Sequence, residues 1–323
     1  MDTGAHGHEP VLLDEVIRLL APQSGQTLLD CTIGRGSHAA AIARFLGPRG
    51  LVLGVDVDPE NLAYVQKRFI DIPVECRLFH GNFRELPEVL AAASREGVDM
   101  ILADLGVSTN QMLSVRYGLS FSMDGPLDMR LDPRIKRTAA DLVATLTERQ
   151  LADLIFHNAQ ERQARRIARF IVQARRATPI ATTRQLAQIV RRAAGPVRHG
   201  RIDAATRTFQ ALRMAVNQEL ENLQMLLEAI PRLLNPGGVA VVISFHSGED
   251  RLVKQAMRRW HDQNRGDILT AHPVTPARQE IQRNPRSRSA KLRAVRFAGP
   301  ANVPVGDPPA PACPGGFPAR HAS

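Results

Sequence analysis

Aromatic side chains are scarce, at 4% of 323 residues with one Trp and two Tyr. So thin a supply excludes a broad platform on which successive bases stack. Cysteine is scarcer still. Cys31, Cys76 and Cys313 stand far apart and form no C-x-x-C pair, which argues against a zinc knuckle and against a disulfide framework. No apolar run is long enough to span a membrane, and the N-terminus carries no signal-type apolar core. The expectation is a soluble cytoplasmic protein with no membrane partner. Acids are outnumbered: 42 Lys and Arg against 32 Asp and Glu leave a net charge of +10. That excess points to a polyanionic partner, nucleic acid most directly. At 44% hydrophobic, the chain can bury the core of one large domain or two ordinary ones.

The chain is organised around LLDCTIGRGSHAAAIARF, residues 28–45. It reads as a short apolar strand, a glycine turn at Gly34 and Gly36, and a helix with an apolar side. Such a turn brings backbone N–H groups close to a ligand. Gly34-x-Gly36-x-x-Ala39 also fits a relaxed dinucleotide fingerprint, so the turn alone does not choose a ligand. The acids around it do. Asp30 precedes the turn. Asp56 ends a second apolar strand, LVLGVDV, about 20 residues past Gly36, where a ribose-binding acid is expected. Asp104 ends a further strand, MILAD. Three carboxylates at the carboxyl edge of one sheet would repel a pyrophosphate and attract a ligand bearing sulfonium and ammonium groups. That favours S-adenosylmethionine over a nicotinamide dinucleotide.

Strand and helix alternate four times up to residue 104, the pattern of a doubly wound parallel sheet. At DLGVSTNQM, residues 104–112, the rhythm breaks. From about 113 to 200 the chain reads as a helical insertion, with a loop at 116–133 and helices at 138–145, 147–156, 158–176 and 182–194. Six arginines lie between Arg162 and Arg176, and their face is expected to hold RNA phosphates. Residues 203–235 read as one long helix closed by Pro236-Gly237-Gly238. VAVVISF (239–245) returns the chain to the sheet, 246–260 form a helix, and 291–297 form an edge strand. Residues 1–7 read as a loose leader and 299–323 as a disordered Pro/Gly/Ala-rich tail.

The stretches HEPVLLDEV, DCTIGRGSHA, GVDVDPENL, GNFREL, DLGVSTNQM, GLSFSMDGPLDMR, ATRTFQALRMAVNQELENL, ISFHSGEDRLVK and NPRSRSAKLR together resemble the bacterial 16S rRNA (cytosine-N4)-methyltransferase family. They run from His8 to Arg296, and the FQALRMAVNQEL and GPLDMR stretches are the most specific. The resemblance implies a class I, Rossmann-like methyltransferase sheet with an inserted all-helical domain. Residues 8–112 and 201–298 would form the S-adenosylmethionine-binding domain and 113–200 an RNA-recognition domain. It implies 16S rRNA, within the small ribosomal subunit, as partner, and a monomer or homodimer. Cofactor contacts would fall on Gly36, Ser37, His38, Asp56, Phe83, Asp104 and Gln111. Asp56 would accept from ribose hydroxyls and Phe83 would pack on the adenine. Asp104, or the backbone carbonyls of Leu105 and Gly106, would accept an N–H of the target amine, Asp104 being the favoured catalytic acceptor, with the Ser108 hydroxyl orienting a base withdrawn from its stack.

Four departures stand against the family pattern. Ser37 replaces the second glycine of Gly-Gly-His and raises the expectation of a positive φ on a non-glycine residue. Thr109-Asn110 replaces Ser-Pro, Gly248 replaces a leucine, and Ala159-Gln160-Glu161-Arg162 replaces Gly-Glu-Glu-Arg. His246, Glu249 and Asp250 match no metal-ligand spacing; polar groups at a helix start are expected there, and no metal. A dinucleotide oxidoreductase, a non-catalytic RNA-binding protein and a DNA amino-methyltransferase are the alternatives. The last usually carries a proline-rich motif with an aromatic after the fourth strand, and none stands here.

Overall fold

The computed structural model describes residues 10–195 and 203–298. The leader at 1–7 and the tail at 299–323 lie outside the described residues. Seven strands form one sheet: β1 Thr27–Asp30, β2 Leu51–Asp56, β3 Glu75–His80, β4 Val98–Asp104, β5 Leu234–Ser244, β6 Gly266–Ile268 and β7 Lys291–Phe297. Their order is β3-β2-β1-β4-β5-β7-β6. The first five are parallel, and β7 runs antiparallel to both its neighbours. β7 is therefore not the edge strand the sequence suggests. The three-residue β6, too short for a readable alternation, takes the edge.

Alternation along the strands sorts side chains to two faces. Leu28, Val52, Met100, Leu102, Val241 and Ile243 are buried on one face with helices α1 (Leu13–Leu20), α2 (Ser37–Leu46) and α3 (Pro59–Arg68). Leu29, Leu53, Ile101, Ala103, Ala240 and Val242 are buried on the other. Helix α4 (Leu86–Ala92) covers that second face together with the helices at Glu219–Leu233 and Ser247–Asp262.

The chain leaves the sheet after β4 through α5 (Thr109–Leu113) and builds α6 (Ala139–Thr145), α7 (Glu148–Ala159), α8 (Ala164–Ala177) and α9 (Thr183–Ala194). These share a separate core with α10 (Ala204–Val216), which contributes Ala205, Phe209 and Leu212. Four of these helices start on threonine or aspartate N-caps: Thr138, Thr147, Thr182 and Asp203 each accept a backbone N–H of the first turn. The expected single helix over 158–176 is not formed. Asn158 and Ala159 end α7, and Gln160 takes a left-handed φ of 52° before α8 begins.

The expected helix over 203–235 is likewise two: α10, then α11 (Glu219–Leu233), broken where Gln218 takes φ 50°. Asn217 explains the break. Its Oδ1 accepts from Leu131 N at 2.9 Å, and its Nδ2 donates to Met129 O at 2.8 Å and Arg213 O at 2.9 Å. A buried amide making three bonds to backbone outweighs helix continuation. After β5 come α12 (Ser247–Asp262) and α13 (Arg278–Arg283). No helix among the described residues is long and apolar enough to cross a membrane.

Candidate active site

Strand order reverses between β1 and β4, and ligands of open α/β sheets bind beyond the carboxyl ends at such a point. A cavity of about 320 Å³ lies there. β1 delivers Asp30 and then the turn. Gly34 (φ 51°) and Gly36 (φ 71°) take left-handed backbone, open to glycine without steric cost. Gly34 N donates to Asp56 Oδ2 at 2.8 Å.

Ser37 is the first residue of α2 and has no positive φ. The expected strain is thus absent, because the two glycines take the whole reversal. Gly36 does not line the cavity. A Cβ on it would stand 3.2 Å from Val65 Cγ2 and 3.3 Å from Phe69 Cε2, so Gly36 lets α2 approach α3. Ser37, His38, Asp56, Phe83, Asp104 and Gln111 do line the cavity.

Asp104 ends β4, its backbone N–H held by Thr32 Oγ1 at 2.7 Å. Its Oδ2 lies 3.7 Å from His38 Nδ1. Its Oδ1 is buried with no hydrogen-bond partner, as are Ser108 Oγ and Asn110 Oδ1 on the same wall. Buried polar atoms are rarely left so. His38 is 7% exposed, and its Nε2 meets Val11 O at 2.9 Å. A carbonyl can only accept, so Nε2 donates to Val11, which leaves Nδ1 facing Asp104.

Burial pushes the Asp104 carboxyl up to about 8, helped by the charges of Asp30 and Glu249. Burial likewise raises Asp30 to about 7, against the N–H of Thr32, and Asp56 to about 6, against the N–H groups of Asp58 and Gly34. Asp30 is 2% exposed and lies behind the cavity wall rather than in it. Its charge reaches the site and its oxygens do not.

Phe83 opens a short turn capped by Asn82 and Glu85. Arg134 locks that turn, bonding Glu85 Oε1 at 2.9 Å and Asp132 Oδ2 at 2.8 Å. Gln111 is 4% exposed. Its Nε2 donates to Asp58 Oδ2 at 2.8 Å and its Oε1 accepts Ser108 N at 3.1 Å. Tyr117 donates to the same Asp58 oxygen at 2.7 Å, so Gln111 fastens α5 against the β2–α3 loop.

Sequence reasoning missed the far wall: Asn217, Gln218, Glu219 and Asn222 at the α10–α11 break. The available signal was two adjacent amides, Asn217 and Gln218, inside a long helical run. Glu219 is gripped by Arg213, Nε to Oε1 at 2.7 Å and Nη2 to Oε2 at 2.9 Å. Glu219, His246 and Glu249 bring ligand-type atoms within 4.8 Å of one another, yet each has a protein role. His246 and Glu249 form a reciprocal cap on α12, and Asp250 pairs with Lys291 at 3.1 Å and Arg293 at 2.7 Å. The arginine run is also divided: Arg175 donates to the carbonyls of Val143 and Leu146, closing α6 rather than facing solvent.

Over most of its length the chain is similar to known proteins. The model of the MraW methylase family matches residues 5–298. A ribosomal RNA small subunit methyltransferase H from Acidobacterium capsulatum is 46% identical over 295 residues, 89% of this chain and 97% of the relative. One from Sorangium cellulosum is 46% identical over 299 residues, 92% of each chain. One from Coprothermobacter proteolyticus is 43% identical over 289 residues, 90% of this chain and 95% of the relative. With the match running from the first helix to the last strand, the chain belongs to the MraW methylase family.

Proposed function

We propose that this chain methylates the exocyclic N4 amine of one cytidine in the decoding region of 16S rRNA, with S-adenosylmethionine as donor. The observation that carries the reading is the partnerless Asp104 Oδ1, buried beside the partnerless Ser108 Oγ in a cleft of raised carboxyl groups. Buried carboxyl groups at Asp56 and Asp104, with acceptor capacity to spare at Asp104, suit a donor bearing an ammonium and a sulfonium group. When bound, that donor supplies an electrophilic methyl group.

The remaining work falls to residues of the chain. Ser37 and His38 lie beside the methionine part, Asp56 accepts from ribose hydroxyls, Phe83 covers the adenine and Gln111 holds the wall. The lone pair of cytosine N4 is shared with its ring. An acceptor on its N–H draws the nitrogen out of conjugation and takes up the developing positive charge. Asp104 Oδ1 has that capacity, the Ser108 hydroxyl orients the base, and His38 fixes the carboxyl from its far side. Positioning of donor and amine supplies much of the rate.

Residues 8–112 and 201–298 form the donor-binding part and 113–200 the RNA-recognition part, with α10 packing on the helical side. The chain acts as a monomer or homodimer on 16S rRNA within the small subunit. Incubation with labelled donor and unmodified 30S particles tests the reading. Label enters 16S rRNA with the wild-type chain and not with Asp104→Asn; label in neither, with donor binding intact, overturns it.

A further inference from the structure

A second hollow of about 1400 Å³ lies beside the cleft, larger than the roughly 300–1,000 Å³ of small-molecule pockets. One bank is the end of α7, the turn into α8 and the start of α10; the other is the first turn of α12. The His246–Glu249 pair, Nε2 to Oε1 at 3.2 Å, separates the two spaces. Glu249 lines the cleft and His246 lines the groove.

The lining is charged one way. Arg162 and Arg251 are exposed and have no acidic partner among the described residues. The acids there are already engaged: Glu161 is 5% exposed and pairs with Arg207 at 3.5 Å, and Asp203 pairs with Arg191 at 2.9 Å. Phe156 stands 45% exposed on the same bank, edge-on to His157 with ring centroids 5.5 Å apart. Gly248 adds no side chain to the opposite bank.

Uncommitted arginines beside a bare aromatic face are the two elements by which proteins hold unpaired nucleic acid: phosphate neutralisation and base stacking. We infer that this groove seats the single-stranded RNA segment adjoining the target nucleotide. Arg162 and Arg251 bind phosphates and Phe156 stacks on a base, so that the next nucleotide enters the cleft past His246. The inference rests on the RNA-methylation reading and names how its substrate is held.

Binding of a labelled single-stranded oligoribonucleotide to the full chain, over a range of salt, tests it. The charge reversal Arg162→Glu with Arg251→Glu lowers affinity at least tenfold and flattens the log–log salt slope by about 1.4, roughly 0.7 for each phosphate no longer neutralised. Phe156→Ala lowers affinity about fivefold or more without changing the slope. Calorimetric binding of the methyl donor is unchanged in all variants, which separates groove loss from misfolding. Wild-type RNA affinity in both variants, or equal loss for a fully paired duplex, overturns the groove. RNA held in the groove by a chain that transfers no methyl group leaves it standing and removes the reading in the previous section instead.

Discussion

His38 Nδ1 lies 3.7 Å from Asp104 Oδ2, while the other oxygen of that carboxyl has no partner. One oxygen of Asp104 therefore faces a protein group, and the other has acceptor capacity to spare. This pairing of restraint and spare acceptor capacity on one side chain sets the first expectation.

Asp104→Asn removes the ionisable carboxyl and replaces one of its two acceptor oxygens with an NH2 donor. Methyl transfer falls by on the order of a hundredfold or more, the scale for losing one group that stabilises developing charge. The ligand-free protein gains stability, because a buried carboxyl that lacks a partner is unfavourable. A melting temperature on the order of 2 °C above wild type, with activity gone, is the expected pair of results. A variant that is less stable and still active contradicts it.

Stability without ligand falls toward alkaline pH. The folded-state values of about 6, 7 and 8 for Asp56, Asp30 and Asp104 all exceed the 3.8 of a free aspartate. Across that window the folded chain holds protons the unfolded chain has released, so stability falls as pH rises from about 4 to about 8. Melting curves at about pH 5 and about pH 8 check it, with the lower temperature at the higher pH. Donor binding near pH 7 must release protons, seen in calorimetry as a heat that varies with the buffer. No buffer dependence would mean that these carboxyls are already ionised.

Asn217→Ala deletes the bonds to Met129, Leu131 and Arg213 that fold the loop over the cleft. A loss of about 2–3 kcal/mol follows from stranding buried backbone groups, roughly a 5 °C drop in melting temperature. Donor affinity falls with it, since Leu131 and Asn217 both line the cleft. Thermal melts with and without donor measure both effects.

Ser37→Gly restores the glycine expected from the family pattern. Because Ser37 already sits in ordinary helical backbone, donor affinity stays within about threefold, and the helix start loses about 0.5–1 kcal/mol to glycine's freedom. A tenfold gain in affinity would show that Ser37 distorts the turn.

The strands, the glycine turn and the acids at the strand ends were legible because each is written in local pattern. Leu28-Leu29-Asp30 and Leu51 to Asp56 alternate faces around glycines, and periodicity reports that directly. What was not legible depends on distant partners. Asn217 breaks a helix for the sake of Met129 and Leu131, 88 and 86 residues away. Arg175 leaves the basic face for the carbonyls of Val143 and Leu146. Gly36 serves the packing of Val65 and Phe69, although its motif reads as ligand-facing. Tertiary hydrogen bonds and side-chain packing decided each of these, and neither leaves a period in the sequence.

We propose that Asp104 activates an exocyclic amine of cytosine. Unmodified 30S particles treated with the chain and an isotopically labelled methyl donor, then digested to nucleosides and analysed by mass spectrometry, test it most directly. One labelled cytidine, with the methyl group on N4, is the expected product. Label on a ring carbon or on another base, from the same active protein, contradicts it.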